Sequence, residues 1–183
     1  MNAIAKIRLF FIISLACVGF FSCDPNEELP PELILEYIGV QRFGVGTQLD
    51  SISLQIRFQK GDGNVGLFPY DTIYPFVGKY RNNFFIYTFD KVSLTDTIYE
   101  HFRIQNTQNI DLWDTLYYRS RIPILNNSRT ESVKGRIEYG IGGNYVRDMR
   151  EYSKHGVVRF EIYMYDRDLV RSNKIITPDI FVR

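Results

Sequence analysis

The sequence predicts an all-β fold, a single antiparallel β-sandwich, on three observations. Apolar and polar side chains alternate over two long runs. In one, Ile52, Leu54, Ile56 and Phe58 interleave with Ser51, Ser53, Gln55 and Arg57; in the other, Val158, Phe160, Ile162 and Met164 interleave with Val157, Arg159, Glu161 and Tyr163. A period of two places each set on its own face of a strand. Next, 15% of the 183 residues are aromatic, with 14 Phe and 13 Tyr, and bulky rings suit a pleated, half-buried surface. Finally, turn residues punctuate the chain at Gly44-Val45-Gly46, Gly61-Asp62-Gly63-Asn64, Asn126-Asn127-Ser128, Gly142-Gly143-Asn144 and Asp166-Arg167-Asp168.

Further strands are expected at Ile34–Gln41, Asn83–Phe89, Ile98–Ile104, Leu116–Ile124, Val133–Ile141 and Lys174–Val182. No stretch carries a convincing 3.6-residue period; the polar segment Tyr145–His155 has room for a helical turn but reads better as a long hairpin loop. Roughly seven to nine short strands point to a sandwich of immunoglobulin- or fibronectin-III-like size. No second linker interrupts residues 33–183, which read as one domain. In its terminal hairpin, Val158, Phe160, Ile162 and Met164 should face the core, with Glu161 and Tyr163 outward. The partner strand should supply Ile176, Ile180 or Val182 to the same core.

Composition narrows the class. Lys and Arg number 22 against 21 Asp and Glu, and 45% of residues are hydrophobic. That is ordinary globular chemistry, unlike a disordered tail, a collagen-like fibre or a polytopic membrane protein. A net charge of +1 also argues against nucleic acid as a partner.

The N-terminus reads as a lipoprotein signal peptide over residues 1–22. Lys6 and Arg8 precede an uncharged run from Leu9 to Ser22. As a helix this run spans roughly 21 Å, short of the ~30 Å hydrocarbon core, which disfavours a permanent span. Phe20-Phe21-Ser22-Cys23 resembles a bacterial lipobox, although Phe20 stands where such sequences usually have Leu. The resemblance implies cleavage before Cys23 and acylation of that cysteine. Cys17 is a rival position, but it lies inside the apolar run. Cleavage at Cys23 would leave 20 basic and 21 acidic residues and a single, lipidated cysteine, so no internal disulfide could form. Residues 23–32 then hold four carboxylates and three prolines, which reads as an acidic, Pro-rich tether. An acidic stretch after the anchor resembles the surface-export signal of Bacteroidota lipoproteins; a merely solvated linker accounts for the same residues.

The body carries a further resemblance. Leu54-Gln55-Ile56-Arg57-Phe58-Gln59-Lys60-Gly61-Asp62-Gly63-Asn64-Val65-Gly66-Leu67 is similar to the strand and DGDGDIG-like turn of a large family of Bacteroidota lipoproteins. Phe160–Arg167 with Ser172–Pro178 resembles that family's last hairpin, and Val133-Lys134-Gly135-Arg136-Ile137 fits its middle. The resemblance implies an immunoglobulin-like sandwich on a lipid anchor, at the outer membrane and on its surface side if the export signal holds. It implies no activity.

Few residues suggest chemistry. Gly61-Asp62-Gly63-Asn64-Val65-Gly66 fits a dinucleotide fingerprint, but no helix or βαβ unit follows to hold a pyrophosphate. Asp62 and Asn64 have the spacing of calcium-loop ligands, the weak metal candidates of this chain. Lys60 stands where that loop needs an acid, so a turn accounts for them better. His101 and His155 lack zinc spacing, and no nucleophile motif occurs. No cofactor is expected.

Two surface patterns remain. Asp-Ser/Thr-aliphatic triplets occur at Asp50-Ser51-Ile52, Asp71-Thr72-Ile73, Asp96-Thr97-Ile98 and Asp114-Thr115-Leu116. With ordinary residue usage about 0.5 would be expected, so four exceed chance. They resemble the O-glycosylation sequon of exported Bacteroidota proteins, with Ser51, Thr72, Thr97 and Thr115 as acceptors; strand initiation after a turn is the competing explanation. Tyr117, Arg119, Arg121, Tyr145 and Arg147 form the candidate binding surface, because Tyr and Arg are enriched at interfaces. The sequence therefore reads as a non-enzymatic, lipid-anchored sandwich that binds a protein or glycan partner or serves as an envelope accessory. The alternative is a carbohydrate-active or other hydrolase with a carboxylate cleft.

Overall fold

The two long alternating runs form strands as expected. The computed structural model describes residues 29–45, 48–106, 108, 112–125 and 131–182. The signal segment, Cys23 and the turn at residues 126–128 lie outside them. β1 (Ile34–Val45), β2 (Gln48–Lys60) and a strand at Val133–Gly142 build one antiparallel sheet with β2 in the middle. The opposing sheet centres on β3 (Phe84–Lys91) paired with the strand Val157–Met164. The other edge of β3 is shared by β4 (Tyr99–His101) and the strand Tyr117–Ser120. Numbered in chain order, β5 is Arg103–Gln105, β6 Trp113–Thr115, β7 Tyr117–Ser120, β8 Val133–Gly142 and β9 Val157–Met164. Two short strands, β10 (Ile175–Ile176) and β11 (Ile180–Phe181), both pair with β9, while β5 and β6 form a separate hairpin. The fold is an all-β antiparallel sandwich.

The two inner faces interlock as period two requires. Ile52, Leu54, Ile56 and Phe58 of β2 are buried against Phe84 and Ile86 of β3 and against Val158, Phe160, Ile162 and Met164 of β9. Burying large aliphatic and aromatic side chains contributes roughly 1.5–3 kcal/mol each, and this set is the main term holding the sheets together. One glycine is fixed by contact. Gly135 of β8 lies opposite Phe58, and a Cβ there would meet the phenyl ring at 2.8 Å.

Four elements depart from the expected pattern; of the strand expected over Leu116–Ile124 only β7 (Tyr117–Ser120) forms, and the unexpected β6 (Trp113–Thr115) precedes it. The segment expected to be a hairpin loop contains a helix, α1 (Asn144–Tyr152). Only Val146 and Met149 enter the core, three residues apart, so its apolar stripe is too narrow to read as a period. Asp90 anchors its C-terminal end: Ser153 Oγ donates to Asp90 Oδ1 at 2.6 Å and the Lys154 amide to Oδ2 at 3.0 Å. The strand expected over Ile98–Ile104 divides into β4 and β5 at Phe102, whose buried ring turns into the core. The strand expected over Lys174–Val182 divides into β10 and β11. Between them Thr177 Oγ1 accepts the Phe160 amide at 2.9 Å, so a side chain replaces a ladder bond. Ile180 and Val182 reach the core, but Ile176 points outward and is 45% exposed.

The last residues of the acidic segment are held by the body. Lys60 Nζ donates to Pro31 O and the Gly61 amide to Pro30 O, both at 2.7 Å. A Cβ on Gly61 would lie 2.5 Å from Leu29 O, so the close approach requires glycine. Among the described residues, no helix is long and apolar enough to cross a membrane.

Candidate functional site

The outward face of the second sheet carries an aromatic ladder. β3 contributes Phe85, Tyr87 and Phe89 outward, so its sequence shows rings on both faces. Register sets Phe85 beside Tyr163 of β9, and Tyr87 beside Tyr117 of β7. The rings stack in a row: Phe85 on Tyr163 at 5.2 Å, Tyr163 on Tyr87 at 6.0 Å, Tyr87 on Tyr117 at 5.7 Å, all within 19° of parallel. Tyr165 closes one end, edge-on to Phe85 and Tyr163. Each such pair adds about 0.5–1.5 kcal/mol beyond area burial. Burial and the Tyr87 hydroxyl push the Tyr163 phenol above its ordinary pKa.

Cations flank the ladder. The Arg171 guanidinium lies 5.5 Å over the Tyr163 ring, Arg119 lies 5.5 Å over Tyr117, and Lys79 Nζ lies 5.3 Å from both Tyr80 and Tyr165. The Tyr165 hydroxyl beside Lys79 holds that ammonium above the usual lysine range. None of these three cations has a carboxylate within 4.0 Å among the described residues. Glu161 shares this face, and Lys174 Nζ neutralises it at 2.8 Å. The face thus offers tyrosine edges and hydroxyls with an excess of positive charge.

The five residues expected to share a surface divide among three places. Tyr117 and Arg119 belong to this face. Arg121 does not, because its guanidinium donates to the carbonyls of Phe68, Asp71 and Arg81 and holds the loop between β2 and β3. Tyr145 and Arg147 sit on α1, where Tyr145 packs edge-on against the inward-facing Tyr118 at 5.1 Å.

The glycosylation candidates scatter as well. Thr72, Thr97 and Thr115 are exposed, and Ser51 is half-buried in β2 beside Gly142. Strand initiation fits Asp96-Thr97-Ile98, which leads into β4. It fails for Asp71, which no strand follows. The Asp71 carboxylate instead accepts the Phe68 amide at 2.8 Å and pairs with Arg167 at 3.1 Å. Arg167 holds its pKa below the usual aspartate range.

Asp62 and Asn64 form a turn in which Asp62 Oδ1 accepts the Asn64 amide at 3.0 Å. The ammonium of Lys60, itself buried, lies 3.1 Å from Asp62 and 3.3 Å from Asp166 and supplies the positive charge there. Among the described residues, no three His, Cys, Asp or Glu side chains group as metal ligands. No protein-family model, curated protein or solved structure matches the chain.

Proposed function

We propose that this chain is a lipid-anchored protein of the outer membrane, similar to Bacteroidota lipoproteins, that binds a partner rather than catalysing a reaction. The single observation that carries the binding role is the tyrosine ladder flanked by Arg119, Arg171 and Lys79, which have no carboxylate partner among the described residues. Tyr and Arg combine large contact area with hydrogen-bonding ends and dominate interface energetics. In this ladder the ring faces are stacked on one another. A sugar ring packs on a free aromatic face, whereas hydroxyls, ring edges and cations suit a polypeptide surface bearing carboxylates. The partner is therefore an acidic protein surface.

A photo-cross-linking residue at Tyr117, in the full chain within native membranes, tests this reading. A discrete, protease-sensitive adduct is expected there, and none from the same residue at Glu138 on the opposite sheet. A protease-resistant adduct would make the ligand a glycan; an adduct from position 138 alone would refute the face. Anchoring is tested by fatty-acid labelling, which Cys23→Ala should abolish. Loss in Cys17→Ala instead would move the anchor.

A further inference from the structure

We infer that the loop between β2 and β3 is a second membrane contact, seating one end of the sandwich on the lipid surface beside the anchor. The inference rests on the lipid-anchor reading above. Tyr74, Ile73 and Tyr70 are 86, 75 and 70% exposed, and Val77 is exposed beside them. A cluster of exposed apolar side chains this close in sequence is a surface feature that needs a partner. The loop is not loosely displayed. Arg121 donates to the carbonyls of Phe68, Asp71 and Arg81, the Asp71 carboxylate holds the Phe68 amide, and Arg167 clamps Asp71 from the β9 end. Phe68 stacks on Tyr70 at 4.9 Å beneath Arg167, so the frame fixes the tips outward.

The occupant follows from where the chain enters. Pro30 and Pro31 are bound at Gly61 and Lys60; Lys60 pairs with Asp166, and the next residue, Arg167, pairs with Asp71 of the loop. The acidic segment and the apolar loop therefore share one end of the sandwich. Even fully extended, the six residue steps from Cys23 to Leu29 reach at most about 20 Å, so an anchored Cys23 keeps that end close to the bilayer. Tyrosine is suited to the interface, with its ring among acyl chains and its hydroxyl among headgroups. Arg81, exposed where the loop leaves, offers a cation for the lipid phosphates. Of the described carboxylates at this end, Asp71 is held by Arg167 and Asp166 by Lys60; Asp62, half exposed, also pairs with Lys60, Asp168 accepts the Asn64 carboxamide at 2.6 Å, and Glu32 is exposed. Thr72 lies between Tyr70 and Ile73, so a membrane contact leaves no room for a glycan on it.

Trp113 is the sole tryptophan and sits on β6, edge-on to Tyr152 at the end of α1. The test is Tyr74→Trp in a Trp113→Phe background, as full-length lipidated protein in phosphatidylethanolamine–phosphatidylglycerol vesicles with and without brominated acyl chains. Tyr74 is almost fully solvated, so the change disturbs no packing. Expected is a blue shift and loss of the position-74 emission with brominated lipid, and unquenched Trp113 emission in the otherwise unchanged chain. Protein that floats with the vesicles while position 74 stays unquenched overturns the inference and leaves the anchor standing. Protein that does not float overturns both. A blue shift in native membranes without quenching in vesicles places the loop against protein and refutes the lipid contact. A glycan found on Thr72 by peptide mass analysis also refutes it.

Discussion

The carboxamide of Asn173 clasps the backbone of Leu35 from both sides: it accepts the Leu35 amide at 2.7 Å and donates to the Leu35 carbonyl at 2.9 Å. A side chain following β9 thereby stands in for a strand beside β1 and ties the two sheets together. Asn83 does the same for Ile122, at 2.7 and 3.3 Å. Only a carboxamide carries a donor and an acceptor in this geometry. Asn173→Ala should cost about 1–3 kcal/mol, because it leaves the polar backbone of a buried residue unpaired. Asn173→Asp, which keeps the acceptor, should cost less. Urea midpoints of the two variants check the order, and equal losses would mean the clasp is not what matters.

Lys60 is the second tie, joining the acidic segment, the β2 turn and the turn after β9. Its side chain and that of Asp166 are 5 and 2% exposed, so removing the ammonium leaves a buried carboxylate without its cation, held among the described residues only by the Val170 amide at 2.8 Å. Lys60→Met should cost about 3–5 kcal/mol, as expected when one member of a buried pair is deleted. Adding Asp166→Asn should return part of that loss. A double-mutant cycle on urea midpoints reads the coupling.

The Asp71–Arg167 pair makes stability depend on acid. The Arg167 hydrogen bond, ahead of the opposing burial effect, lowers the Asp71 pKa below 3.8. A carboxylate with a depressed folded pKa contributes fully above its unfolded pKa and loses that contribution as pH falls through the folded one. Asp71→Asn should therefore cost about 1.5–3 kcal/mol at neutral pH. The gap between wild type and variant should begin to close as pH drops below about 4. Urea midpoints from neutral pH downward check it; a gap that widens toward acid would reverse the assigned sign.

What the sequence disclosed follows from which residues have only one buried face. β2 and β8 bury one face each, and their alternation is plain in the chain. α1 was hidden because two apolar anchors and an otherwise polar surface make no period. In β3, Phe84-Phe85-Ile86-Tyr87-Thr88-Phe89 lacks alternation because its inner face meets the core and its outer face carries the ladder. Tyr117 was recognisable as a surface residue, but its neighbours Tyr87 and Tyr163 come from distant strands, and only register unites them. Arg121 resembled Arg119 in sequence; three carbonyls presented by a folded loop gave it a different task.

The register of β9 decides which face is core and which carries the ladder, so it merits a direct test. Val158, Phe160, Ile162 and Met164 are fully buried, and Arg159, Glu161 and Tyr163 alternate with them on the outer face. A shift of one residue would exchange the two sets. Phe160→Ala should cost about 3–5 kcal/mol, because the surrounding β3, β9 and β2 side chains close only partly over the cavity. Glu161→Ala removes the ion pair to Lys174, whose own side chain is 46% exposed. Solvent screening limits such a pair to about 1 kcal/mol or less. Tyr163→Ala should fall between them, losing two stacking partners worth about 0.5–1.5 kcal/mol each together with ring area on a half-buried face. Urea melts would rank the three. If Glu161→Ala proved as damaging as Phe160→Ala, the assignment of inner and outer faces would fail, and the binding face with it.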